Sequence, residues 1–294
     1  MPQSLKTSFR KLTQTCTKPL KILFTGLLAY LLFSPVPSFG QGDLLISPRR
    51  VVFEGSKRSI DLNLANTGKD TSTYAISLIQ IRMKEDGGFE TITEPDPGQR
   101  FADRYIRFFP RTVVLGPNEA QTVKVQLIRT SVLTPGEYRS HFYFRSIPKM
   151  KPLGEKEPVR DTTAISVRLT PVFGITIPVI VRIGESTAKV TLSDLSLTFD
   201  NDTLPRISMV FHRTGNMSVY GDLTVDHIST QGKITRVGFA NGVAVYTPNE
   251  RRRFQFNLNR MPGVDFKSGT LRVIYSAPSD VSPVRFTEAE LSLQ

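Results

Sequence analysis

The stretch Ile165–Ile183 reads ISVRLTPVFGITIPVIVRI. Every odd position is apolar, from Ile165, Val167 and Leu169 through Pro171, Phe173, Ile175 and Ile177 to Val179, Val181 and Ile183. The even positions are mostly Ser, Thr, Arg and Gly, and strict alternation of this kind predicts a half-buried β-strand. Strands usually run about 5–6 residues, and this one would span roughly 60 Å at about 3.3 Å per residue. Pro171 and Pro178 cannot donate to a ladder, and their parities differ, so an unbroken strand would turn their missing N–H groups toward opposite neighbours. Either Gly174 hosts a bulge that resets the register, or the pairing changes partner between the prolines. The reading adopted is two pieces, an exposed Ile165–Phe173 and an Ile175–Arg182 paired within its own domain.

The rest of the chain is punctuated the same way. RSIDLNLAN, TYAISLIQI, QTVKVQLI and EYRSHFYFRSI alternate, and EGSKR, NTGKD, EDGG, EPDPGQ, LGPNEA and LTPGE read as turns between them. After about Ser186 a second set follows: AKVTLSDLSLTF, RISMVFHRTGN, YGDLTVDHIS, ITRVGFANGVAVY, RRRFQFNLN and GTLRVIYS. No run of 12 residues has a helical period. Many short strands with regular turns predict an all-β chain of two sandwiches, residues 41–184 and 185–294, with almost no linker. Met83–Arg104 is an acidic, turn-rich loop, and Pro148–Thr163 is a charged, Pro-bearing loop expected to be mobile.

Residues 1–40 are set apart. Lys6, Arg10, Lys11, Lys18 and Lys21 precede the apolar run Ile22–Phe33, which is short for a membrane span, and Ser38 and Gly40 are small residues at a cleavage position. This is the pattern of a secretory signal, with an uncleaved anchor as the alternative, and it predicts an exported, periplasmic protein. Cys16 is the only cysteine and falls in that segment, so the remainder has no disulfide and depends on its cores. Of 38 Lys and Arg and 26 Asp and Glu, the segment holds five cations and no acid, leaving 33 against 26, a formal +7. In an exported protein that charge disfavours nucleic acid and suits carboxylate-bearing partners.

Motifs for catalysis are missing. His141, His212 and His227 show no metal-ligand spacing, and no GxSxG elbow, P-loop or GxGxxG is present. No enzyme activity, cofactor or metal is expected.

Four segments in order carry more: SPRRVVFEGSKRSIDLNLAN, FFPRTVVLGPNEAQTVKVQL, GEYRSHFYFRSIP and ITIPVIVRIG. Together they resemble the periplasmic pilus-assembly chaperones, the PapD-like family, across Leu44–Gly184. The resemblance is weaker afterwards, in RTGNMSVYGDLTV and PNERRRFQF. It implies two immunoglobulin-like sandwiches in an L, and the capping of pilus or surface-fibre subunits by donor-strand complementation. It also implies pilin-like partners and an outer-membrane usher.

A subunit lacking its last strand exposes an apolar groove with unpaired edges, and a donor strand must fill it. Ile165, Val167, Leu169, Phe173, Ile175 and Ile177 are the expected donors; the alternative is that they fill this chain's own core. Arg50 matches the family arginine that grips the subunit's terminal carboxylate, a pairing suited to a guanidinium; Arg49 is the register alternative. The family's accompanying lysine falls on Pro178, so another cation, Arg139 or Arg168, must serve or the grip differs. Arg182 and Asp265 are matched to the family's interdomain charge network, whose remaining acid falls on Arg139 with Glu137 as the substitute, and Tyr138 reads as a tyrosine-corner residue. A free apolar edge also makes a self-capping homodimer an expectation. The competing reading is a secreted PapD-like structural or adhesion component without a donor-strand cycle, which the missing lysine favours.

Overall fold

A computed structural model describes residues 43–148, 172–200, 203–278 and 284–293. The leading segment, the loop 149–163 and the donor candidates Ile165, Val167 and Leu169, with Arg168 and Pro171, lie outside the described residues.

The first half holds β1 (Leu44–Ser47), β2 (Val51–Phe53), β3 (Ser59–Asn66), β4 (Ser72–Met83), β5 (Phe89–Ile92), β6 (Ile106–Phe109), β7 (Thr112–Leu115), β8 (Ala120–Leu127), β9 (Gly136–Ile147) and β10 (Gly174–Ile183). One sheet runs β1-β3-β8-β6; the facing sheet runs β2-β10-β9-β4-β5, with β7 also on β4. This is the immunoglobulin arrangement, in which the first strand divides between two sheets. Here the division falls at the cis Ser47–Pro48 bond, between β1 on one sheet and β2 on the other.

The second half holds β11 (Lys189–Asp200), β12 (Leu204–Thr214), β13 (Val219–Ile228), β14 (Ile234–Val245), β15 (Arg251–Asn257), β16 (Gly269–Ser276) and β17 (Arg285–Leu293). Its sheets run β11-β12-β15 and β14-β13-β16-β17. The described residues thus form two β-sandwiches, and the chain passes from one to the other between Ile183 and Lys189.

Alternation in the sequence becomes alternation in burial. Along β3 Ile60, Leu62 and Leu64 point inward, and Asn66 takes the next inward place. Buried there, Asn66 Nδ2 donates to the carbonyls of Asp70, Leu115 and Gly116, which ties two loops to the strand end. Phe108 and Phe142 meet edge to face at 5.1 Å across the first core, and Phe211 meets Tyr275 at 5.1 Å in the second. Such pairs add to area burial through their ring quadrupoles. Tyr138 Oη accepts the Thr134 N–H at 3.1 Å, closing a tyrosine corner at the start of β9.

Phe142 is fully buried between the two sheets of the first sandwich. Phe142→Ala should lower the unfolding free energy by about 3–5 kcal/mol, from lost burial plus the cavity left behind. Urea titration checks this, and a loss below about 1 kcal/mol would mean that this ring does not join the sheets.

Candidate interdomain binding cleft

The long alternating run of the sequence is resolved at β10. Its register with β9 is unbroken from Gly174↔Arg145 to Ile183↔Gly136, so Gly174 hosts no bulge. The other side is different. β2 joins β10 only at Val179–Val181, in parallel. Among the described residues, Gly174–Pro178 therefore has a neighbour on one side only.

Phe173 marks which backbone groups face which way. Its carbonyl accepts the Ser146 N–H at 2.8 Å, and its N–H donates to Ser146 Oγ at 2.9 Å. In an antiparallel ladder bonded pairs alternate. Odd residues of β10 therefore bond toward β9, and Gly174, Thr176 and Pro178 direct their backbone groups outward. Pro178 thus withholds an N–H only on the side away from β9, and the inner ladder loses nothing.

Burial sorts the donor candidates. Ile177 is 4% exposed and belongs to the core of the first sandwich, and Ile175 packs against that core. Both are committed to this chain's own interior, which corrects their assignment as donors. Phe173 is 44% exposed.

The outward face of β9 carries Glu137, Arg139 and His141, all buried. The second sandwich covers them. Glu137 receives Arg182 Nε at 3.3 Å, Ser218 N–H at 3.0 Å, Ser218 Oγ at 2.6 Å and Thr247 Oγ1 at 3.3 Å. Arg182 also donates to the Ser218 carbonyl at 2.8 Å and lies 3.8 Å from Glu54. Asp265 is not part of this network. It is exposed and accepts Lys267 N–H at 3.0 Å and Ser268 Oγ at 2.9 Å, bonds that satisfy it within its own turn and hold its carboxyl below the usual range. The second sandwich answers Glu137 with neutral hydroxyls and an N–H instead. Ser218 and Thr247 carry no local sign of this role, because a hydroxyl in a turn is ordinary.

The β4–β5 turn adds a further tie, with Glu85 O accepting Arg253 N–H at 2.7 Å and Met83 O accepting Asn249 Nδ2 at 2.8 Å. The acidic loop that follows is anchored by Arg82, which grips Asp96 through two bonds of 2.7 and 2.6 Å.

Arg50 stands just before β2, half-buried. Its guanidinium lies 4.3 Å from the Tyr220 ring centroid, and Nη1 donates to Tyr246 Oη at 3.4 Å. Arg139 lies 4.2 Å from the same Tyr246 ring and donates Nη2 to the Thr247 carbonyl at 3.1 Å. Its Nε and Nη1 are buried without a partner among the described residues. Burial, and then Arg50, weaken its hold on its proton, while Tyr246 and Glu137 act the other way. Neither Arg50 nor Arg139 has a salt bridge among the described residues. Arg49 is exposed on the rim.

Arg50 opens into a cleft of about 1150 Å³ lined by both sandwiches. Arg49, Arg50, Lys57, Arg182, Lys189 and Arg285 line it against two acids, Glu54 and Asp222. Much of the modest positive charge read in the sequence is gathered here. Such a cleft attracts anions.

His141 is held neutral. Burial, Arg139 and Arg50, in that order, bring its pKa down to about 3. Its folded value lies below the unfolded one, so the unfolded chain binds the proton first. Stability should therefore fall as pH drops from about 6.5 toward 3, by at most about 1.4 kcal/mol per pH unit from this group. Urea titrations between pH 6.5 and 5.5, where ordinary carboxylates stay ionised, should show that slope in the native chain and a flatter one in His141→Phe. Equal slopes would remove His141 as the cause.

No family model matches the chain, and no curated protein matches it by sequence. Among solved structures it is similar to the YadV chaperone, at 14% identity and a TM-score of 0.43, over 85% of this chain and 100% of that one. It is similar to the CupB2 chaperone of Pseudomonas aeruginosa at 12% identity and 0.40, over 85% and 100%. It is also similar to a CsuC–CsuE chaperone–tip subunit complex from archaic chaperone-usher pili of Acinetobacter baumannii, at 12% and 0.38, over 72% and 89%. At these values residue roles come from the chain's own geometry.

Proposed function

We propose that this chain is an exported, non-catalytic chaperone that caps incomplete pilus or surface-fibre subunits in the periplasm and delivers them for assembly, with an outer-membrane usher as the receiving partner. One observation carries the reading. An arginine pair without carboxylate partners among the described residues, Arg50 and Arg139, lies at the junction with β10, whose Gly174–Pro178 edge is unpaired on its outer side among those residues. A terminal carboxylate supplies the missing counter-charge, and an added strand supplies the missing backbone partners.

In this reading Arg50 is the anchor, and Ile165, Val167, Leu169 and Phe173 are the side chains lent to the subunit's groove. Each apolar side chain fully buried there contributes roughly 1.5–3 kcal/mol, so a few outweigh the cost of association. Arg182 and Glu137 hold the two sandwiches at the angle that keeps the cleft open. Pro178 favours a second reading, a secreted structural or adhesion component of the same fold, because it brings no charge to the edge.

Co-purification with an exported small β-protein separates the two. Arg50→Ala should abolish the complex and leave thermal unfolding of the free protein unchanged; an undiminished complex would sink the anchor. Leu169→Glu should block capture in the same assay. Unfolding of the free variant would place Leu169 in this chain's own core.

A further inference from the structure

Tyr246 separates the arginine pair from a second cavity of about 250 Å³. Ile81, Met83, Phe89, His141, Pro178 and Tyr246 line it, together with Arg252. Three of these walls are rings: His141 meets Phe89 at 6.2 Å and Tyr246 at 6.5 Å, both edge to face. Phe89 is 57% exposed, so one wall of the chamber is open to solvent. A cavity of about 150 Å³ suffices for a benzene ring, so one aromatic side chain fits here. A cationic guest does not suit the chamber, because Arg50 and Arg139 stand at Tyr246 and Arg252 is in the wall.

The position of the chamber matters as much as its lining. Thr176 and Pro178, whose backbone groups face the unpaired edge of β10, line it. Gly242 lines both this chamber and the larger cleft that holds Arg50. Tyr246 gives its hydroxyl to Arg50 and its ring to the chamber. A carboxylate beside Arg50 and a side chain in the chamber are therefore one tyrosine apart. The last residue of a polypeptide joins both groups at a single Cα.

We propose that the chamber is a specificity pocket for an aromatic side chain on the terminal residue of the bound polypeptide, whose carboxylate meets Arg50, with the buried Arg139 adding positive charge from the far side of Tyr246. The proposal rests on the anchoring role of Arg50 and adds a preference for one class of terminal residue. Edge-to-face packing against Phe89, His141 and Tyr246 supplies that preference. Neutral His141 leaves the chamber wall uncharged at that point, so an apolar ring enters without displacing a hydrated ion.

Three small probes test it on the purified protein, followed by NMR shift titration: N-acetyl-L-phenylalanine, N-acetylglycine and N-acetyl-L-phenylalaninamide. The first should bind about tenfold or more tightly than the second, and the amide should bind far more weakly than the acid. Thr176→Phe places a ring in the chamber from an exposed position and leaves the core intact. It should bring the two acids to equal affinity without changing that of N-acetylglycine. Arg50→Gln should weaken both acids. Equal binding of the two acids to the native protein overturns the ring pocket while leaving the carboxylate anchor standing. An amide that binds as well as its acid overturns the anchor, and with it the terminal-residue assignment. Retention of the aromatic preference in Thr176→Phe also overturns the pocket.

Discussion

The outward face of β9 is the constraint on which the rest of the molecule depends. Glu137, Arg139 and His141 occupy alternate positions on a strand whose other face, Tyr138, Phe142 and Phe144, fills the first core. Outward polar residues on a sandwich strand ordinarily meet water. Here a second sandwich excludes it, and each residue must be satisfied by other means. Glu137 is satisfied by donors from Arg182, Ser218 and Thr247. A carboxylate buried at 2% exposure without them would be strongly destabilising. His141 avoids a buried charge by staying neutral, although its Nδ1 has no partner among the described residues. Arg139 is satisfied only in part, with one bond to the Thr247 carbonyl and a ring beneath it.

That incomplete solution links stability to function. A buried polar group left unpaired is costly, and such groups collect where a ligand completes the arrangement. Arg139 pairs with Ile180 of β10 and lies against Tyr246, and Arg50 meets the hydroxyl of the same tyrosine from the cleft. The junction between the sandwiches is a structural seal through Glu137 and Arg182, and in the proposed reading it is also the anion site at Arg50. Pro178 fits the same economy. Its missing N–H lies on the outward side of β10, so it limits pairing there without weakening the inner ladder.

The sequence legible at the level of strands was largely legible at the level of burial. Alternation in SIDLNLAN matches the inward and outward positions of β3, and in GITIPVIVRI it matches β10 as far as Pro178, after which outward Ile180 is buried too, against Met83, Ala244 and Tyr246. The expected division of the long run near Gly174 rests on prolines of opposite parity, and its first piece up to Pro171 lies outside the described residues. Arg50 was legible as a candidate from its place before VVF and from a family resemblance. Asp265 was misjudged for a physical reason: an aspartate two residues before a lysine and three before a serine, in a glycine-bounded turn, satisfies itself locally. Ile175 and Ile177 were misjudged because the same alternation serves a lent strand and a strand that fills its own core.

Local periodicity determined by itself that this chain is all-β, where its strands turn, and which side chains of each strand share a face, since a pleated strand has a period of two whatever it packs against. Which of those faces would be dry was decided only by tertiary structure. Glu137, Arg139 and His141 read as a wet face until a second sandwich is laid over them, and Tyr246, Ser218 and Thr247 gain their roles only from residues about 80 to 200 positions away. Contacts at that separation leave no mark in a local pattern, because burial across an interface depends on two surfaces at once and alternation describes one.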